Sequence, residues 1–140
     1  MSRIFWDTNL FVYLFEDYGN LSKAVVNLRE RMISRGDRLY TSALTLGEVL
    51  VKPTEKGDQH LVSSYRDGLA RTATLLPFDD EAAIHYARIR RDRTIKAPDA
   101  IQLACAAVAE IDMFITNDNH LGGRVVSGVQ FIVSLAAAPL

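Results

Sequence analysis

A chain of 140 residues with 49% hydrophobic and 24% charged residues has the size and balance of one globular domain, which excludes a disordered or fibrous architecture. Its net charge of −1 excludes a general attraction to nucleic acid or to anionic membranes, though not a local basic patch. The single cysteine, Cys105, excludes an intrachain disulfide and fits a reducing compartment.

Ile4-Phe5-Trp6 is an apolar run too short for a helix. It reads as a buried strand that delivers Asp7 at its C-terminal end, with Thr8 or Asn9 capping a short helix from Asn9 to Phe15. Leu21 to Arg35 follows as a longer helix with Val25, Leu28 and Met32 on one face, ended by Gly36. Leu39-Tyr40-Thr41 is a second strand. Ser42 or Thr45 then starts a helix that carries Leu46, Glu48, Val49 and Leu50 and that Pro53 should stop or turn. Gln59 to Arg71 has the helical spacing Leu61, Val62, Tyr65, Leu69, and Thr74 to Pro77 is a short strand.

Asp79 or Asp80 caps a helix through Ala83, Tyr86 and Ala87 that runs into the basic stretch from Arg88 to Arg93. Pro98 sits where proline is tolerated, in the first turn of a helix, and puts Asp99 at the positive end of its dipole. Ile101 to Val108 should be buried there. Met113 to Thr116 is a strand ending in Asn117-Asp118, Gly122 and Gly123 form a loop, Val129 to Val133 is a last strand, and Ala136 to Pro139 is expected to fray. Strands alternating with helices predict an α/β fold with a mainly parallel sheet. There is no internal repeat and no low-complexity segment. The N-terminus lacks the pattern of a signal peptide, and no apolar run approaches the roughly 18 residues of a membrane span. The expectation is a single domain over residues 1–140, cytoplasmic, an enzyme or a binding module.

Four acids stand in strongly apolar context: Asp7 and Asp118 at strand ends, Glu48 and Asp99 near helix starts on the same side of such a sheet. An acid there needs a compensating partner, and clustered carboxylates repel one another unless they share protons or bind a cation. Few basic residues lie beside them. Hard oxygen donors suit Mg2+ or Mn2+ better than zinc. The bland alternative has Asp7 and Asp99 capping helices, Glu48 solvated and Asp118 in a turn.

Asp7-Thr8-Asn9, Glu48 after Thr41-Ser42-Ala43-Leu44-Thr45, Pro98-Asp99-Ala100-Ile101-Gln102-Leu103-Ala104, and Thr116-Asn117-Asp118 resemble the successive motifs of PIN-domain ribonucleases, most of all the VapC-type toxins of toxin–antitoxin pairs. The resemblance covers essentially the whole chain. It implies a five-stranded, mainly parallel sheet flanked by helices and an acidic pocket for one or two Mg2+ or Mn2+ ions. Carried over by position, it makes Asp7, Asp99 and Asp118 metal ligands, Glu48 a ligand directly or through water, and Asn9 and Thr116 residues that orient the ligands. It also implies an RNA substrate cut to 5′-phosphate and 3′-hydroxyl ends, a VapB-type antitoxin and a homodimer. One departure is that His120 and Leu121 stand where the family often has an acid and an aromatic, which bears on a second ion.

Beside the acids, Arg88, Arg90, Arg91, Arg93 and Lys96 lead directly towards Asp99 and are candidates to guide RNA phosphates, Arg93 and Lys96 in particular. Their alternative role is a solvated helix end. Cys105 lies in an apolar helix and reads as core. The aromatic-rich run from Leu10 to Phe15, with Tyr18, reads as core, or as a groove for an antitoxin peptide. The rival readings are a catalytically silent PIN-like module that binds RNA or protein, and a phosphatase of the haloacid dehalogenase type. The latter needs a second Asp two residues after the first, where this chain has Asn9.

Overall fold

The computed structural model describes residues 1–140. In chain order its elements are β1 (Arg3–Trp6), α1 (Thr8–Phe15), α2 (Asn20–Arg35), β2 (Arg38–Ser42), α3 (Ala43–Glu55), α4 (Gln59–Thr72), β3 (Thr74–Leu76), α5 (Asp80–Ile89), α6 (Ala97–Val108), β4 (Met113–Thr116) and β5 (Phe131–Ser134). The strands form one five-stranded sheet in the order β3-β2-β1-β4-β5, and every neighbouring pair is parallel. The mainly parallel α/β fold expected from the sequence is thus found, with no antiparallel strand.

The period of two along each strand divides the core. Ile4 and Trp6 of β1 face one way, with Leu39 and Ile115, and pack against Leu10, Phe11, Val25, Leu28, Met32, Val49 and Leu69 from α1 to α4. Phe5 faces the other way with Phe114, their rings stacked at 4.9 Å, and packs against α5 and α6. β1 is therefore sandwiched on both sides, which is why Ile4, Phe5 and Trp6 read as a continuous apolar run rather than an alternating one. Burial of side chains of this size is worth roughly 1.5–3 kcal/mol each.

Four local expectations change. The cap of α1 is Asp7 itself, whose carboxylate accepts from the Thr8 N–H at 2.8 Å, rather than Thr8 or Asn9. Pro53 does not stop α3, because it forfeits only one hydrogen bond in the last turn and is itself buried. The stop is Gly57, in the left-handed region at φ 68°, where its N–H donates to Thr54 O and the Asp58 N–H to Pro53 O. β5 starts at Phe131, since Val129 instead bridges back to Val126. The tail does not fray freely: Ala137 and Ala138 hydrogen-bond to Ser134 and Leu135, and Ala138 and Leu140 rest on the core. No helix is long and apolar enough to cross a membrane.

Candidate active site

The strand order reverses direction between β1 and β4: β2 and β3 extend to one side of β1, β4 and β5 to the other. In parallel sheets a crevice opens beyond the carboxyl ends of the strands at such a point. Asp7 follows β1 and Asp118 lies just past β4, so chain topology alone brings two of the four acids to this crevice. Glu48 arrives from the second turn of α3, and Asp99 from the first turn of α6.

Asp7 is only 7% exposed. Its Oδ1 accepts from the Thr8 N–H at 2.8 Å and from Gln102 Nε2 at 3.4 Å, and its Oδ2 from Thr116 Oγ1 at 2.8 Å. Thr116 in turn accepts from the Asp118 N–H at 2.9 Å, so one hydroxyl links the ends of β1 and β4. Thr8 Oγ1 donates to Glu48 Oε1 at 2.5 Å. Asp118 Oδ1 accepts from the His120 N–H at 2.9 Å.

The four carboxylates feel one another. Burial first, then the neighbouring charges of Glu48 and Asp118, push Asp7 above the usual carboxylate range, against the opposing hydrogen bonds from Thr116 and Thr8. Asp99 is pushed up to about 6 by burial, by the charges of Asp7 and Asp118, by contact with the Asp118 carboxyl and by the charge of Glu48. At Asp99, burial and repulsion thus outweigh the helix dipole that favours its charge. Unlike Asp7, Asp99 is not a cap, because the N-cap position of α6 is Lys96 and has no side-chain cap bond. The molecule's two ion pairs, Arg35–Asp37 and Arg124–Asp92, involve none of the four acids.

Of the orienting residues expected from sequence, Thr116 is buried and bonded to Asp7, whereas Asn9 is exposed and its amide has no hydrogen-bond partner in the molecule. Lys96 and Arg93 are exposed on the turn that enters α6. The contacts that sequence reading missed centre on Gln102, which is 1% exposed. Its Nε2 donates to Thr45 Oγ1 at 2.8 Å and Thr8 Oγ1 at 3.1 Å, and its Oε1 accepts from Ser42 Oγ. Thr41 Oγ1 lies 2.8 Å from Thr45 Oγ1 and donates to Trp6 O at 2.9 Å. A polar side chain in the otherwise small and apolar α6 was the available signal. Cys105 is core as expected, with burial holding its thiol near 11.

The donor chemistry of the cluster fits a hard divalent cation: all oxygen, uncompensated, with no histidine or cysteine among the donors. No three His, Cys, Asp or Glu side chains are gathered tightly enough to hold a metal ion between them.

The sequence model of the PIN domain family matches residues 4–123. No curated protein matches the chain in sequence. Among solved structures, the fold is similar to VapBC2 from Rickettsia felis bound to a DNA fragment from its promoter, with TM-score 0.74 and 14% identity over 94% of this chain and 98% of that one. It is also similar to DNA-bound VapBC from Salmonella typhimurium, with TM-score 0.71 and 18% identity over 96% and 99% of the two chains. A third similar structure is VapBC-5 of the VapBC toxin–antitoxin family from Mycobacterium tuberculosis, with TM-score 0.63 and 23% identity over 95% and 99%.

Proposed function

The chain belongs to the PIN domain family, and from that premise we propose that it is a divalent-metal-dependent endoribonuclease, the toxin of a VapBC-type toxin–antitoxin pair. The observation that supports this reading is the cation-free set of four carboxylates at the point where β1 and β4 diverge. Asp7 and Asp99 would hold a Mg2+ or Mn2+ ion, Asp118 would complete the site, and Glu48 would bind directly or through water. When bound, such an ion supplies a more acidic water and positive charge at the scissile phosphate.

The chain's own residues do the positioning. Thr116 and Gln102 hold the Asp7 carboxylate in one orientation, and Thr8 holds Glu48. Burial of Asp7 lowers the local dielectric, so every charge interaction at the crevice is stronger than it would be in water. Water attacks phosphorus in line, the bond from phosphorus to the 3′ oxygen breaks, and the products carry a 5′-phosphate and a 3′-hydroxyl. His120 is exposed and Leu121 buried where a further acid and an aromatic would stand, so the reading takes one firm ion site.

The same proposal covers a single PIN domain over residues 1–140, a cytoplasmic location for the protein, an RNA substrate, a VapB-type antitoxin and a homodimer. The solved neighbours, described as toxin–antitoxin systems or VapBC complexes, support the antitoxin.

Cleavage of purified total RNA by wild type and Asp99→Asn, with Mg2+, with Mn2+ and with EDTA, tests it by mapping the 5′ ends produced. Discrete 5′-phosphate ends that need metal and vanish in the variant are expected. A folded, antitoxin-free protein that neither cuts RNA nor binds Mn2+ would overturn the reading in favour of a silent binding module.

A further inference from the structure

A mainly basic cavity of about 530 Å3, whose walls include none of the four acids, is lined by Arg88, Arg91, Arg124 and Asp92 together with the buried side chains of Ile95 and Val126. Only one of these arginines is paired: Arg124 Nη1 donates to Asp92 Oδ2 at 2.7 Å. Arg88 and Arg91 are exposed and take part in neither of the molecule's ion pairs. In a chain of net charge −1 this is a local concentration of cation, and its volume falls in the range of small-ligand clefts.

Short paths join the cavity to the acidic cluster. Arg124 Nε donates to His120 O at 3.1 Å, and the His120 N–H donates to Asp118 Oδ1 at 2.9 Å. On the other wall, Arg90 Nη1 donates to Ile95 O at 2.7 Å and so pins the turn that enters α6 just before Asp99. A ligand seated here is therefore two hydrogen bonds away from Asp118, and displaces none of the four acids.

Guanidinium groups match phosphate oxygens in a two-pronged geometry, and their flat faces, like an apolar floor, accept a base. A bare anion would make no use of Ile95 and Val126, and an acidic peptide would offer them no flat apolar group. We propose that this cavity binds a nucleotide of single-stranded RNA next to the phosphodiester held at the acidic cluster, with Arg88 and Arg91 on its phosphate and its base against Ile95 and Val126. The identity of the polymer rests on the nuclease reading above.

The test compares wild type, Arg88→Gln/Arg91→Gln and a control pair, Arg66→Gln/Arg71→Gln on α4. Two readouts are used: anisotropy of a fluorescein-labelled, random-sequence RNA 12-mer in EDTA across a salt series, and steady-state cleavage of the same RNA with Mn2+. The cavity variant is expected to bind about tenfold more weakly, with a salt slope shallower by about 1.4, the value for two lost phosphate contacts on a single strand. Its KM should rise about tenfold with kcat within about twofold of wild type. A wild type that does not bind this RNA, or a cavity variant no weaker than the control pair, overturns the assignment and leaves these arginines to an acidic protein partner. Metal-dependent, Asp99-dependent cleavage in that case keeps the nuclease reading. Absence of cleavage alongside the expected binding loss removes the nuclease reading and keeps the cavity.

Discussion

Two carboxylates are buried to nearly the same extent at opposite edges of one sheet, and the fold treats them differently. Asp37, 8% exposed, precedes β2 at the N-terminal edge; Asp7, 7% exposed, follows β1 at the C-terminal edge. Asp37 is neutralised: its Oδ2 accepts from Arg35 Nε at 2.9 Å and its Oδ1 from the Ser2 N–H at 2.8 Å, so it clamps the start of β1 to the end of α2. Asp7 receives only neutral donors and faces three further acids. An uncompensated buried charge costs stability, so its retention at one edge and not the other supports the cation site proposed at that edge.

Exchanging each acid for its amide separates the two roles most sharply. Asp7→Asn is expected to lower RNA cleavage by about a thousandfold or more while leaving the thermal transition in place. Asp37→Asn should do the reverse: a loss of about 2 kcal/mol and a fall in Tm, with cleavage per folded molecule unchanged. Circular dichroism melts and cleavage assays on both variants suffice, and equal effects of the two substitutions on cleavage would break the contrast.

Gln102→Leu sharpens it from the supporting side. The substitution keeps the bulk of the side chain but leaves the hydroxyls of Ser42, Thr8 and Thr45 short of a partner, at a cost of about 1–3 kcal/mol. Cleavage should fall about tenfold through kcat with KM little changed, because Gln102 acts on Asp7 and Thr8 rather than on RNA. A purely structural Gln102 would lower Tm and leave kcat of the folded fraction alone.

The smallest effect is the pH dependence of metal-free stability. Asp99 in the folded protein titrates near 6, above its unfolded value of 3.8. Between those values the folded state holds more protons than the unfolded chain, so stability falls as pH rises through that window and the loss is complete above it. Asp99→Asn does not titrate there. Its Tm should therefore match wild type near pH 4 and exceed it by a few degrees at pH 7.5 in EDTA. Mn2+ should close or invert that gap by stabilising wild type more.

Much of the framework was legible because its causes are local. The α2 face of Val25, Leu28 and Met32, the stop at Gly36, the cap by Asp79 and the strand ends carrying Asp7 and Asp118 each depend on residues within a few positions of one another. Misreadings arose where context outweighed a local rule. Pro53 is tolerated because it falls in the final turn and is buried, and the apolar run at Val129 is drawn into a bridge with Val126 instead of the sheet.

The sequence alone determined that acids would follow two buried strands and stand near the starts of two helices, since period and capping specify where elements stop. Tertiary structure alone decided what surrounds them. Gln102 reaches Asp7 across 95 positions, Thr116 reaches it across 109, and Arg124 meets Asp92 across 32. Such pairings follow from strand order and helix packing, which no local pattern encodes. The same order joins four repelling carboxylates in one crevice and sets an arginine-lined cavity two hydrogen bonds from Asp118.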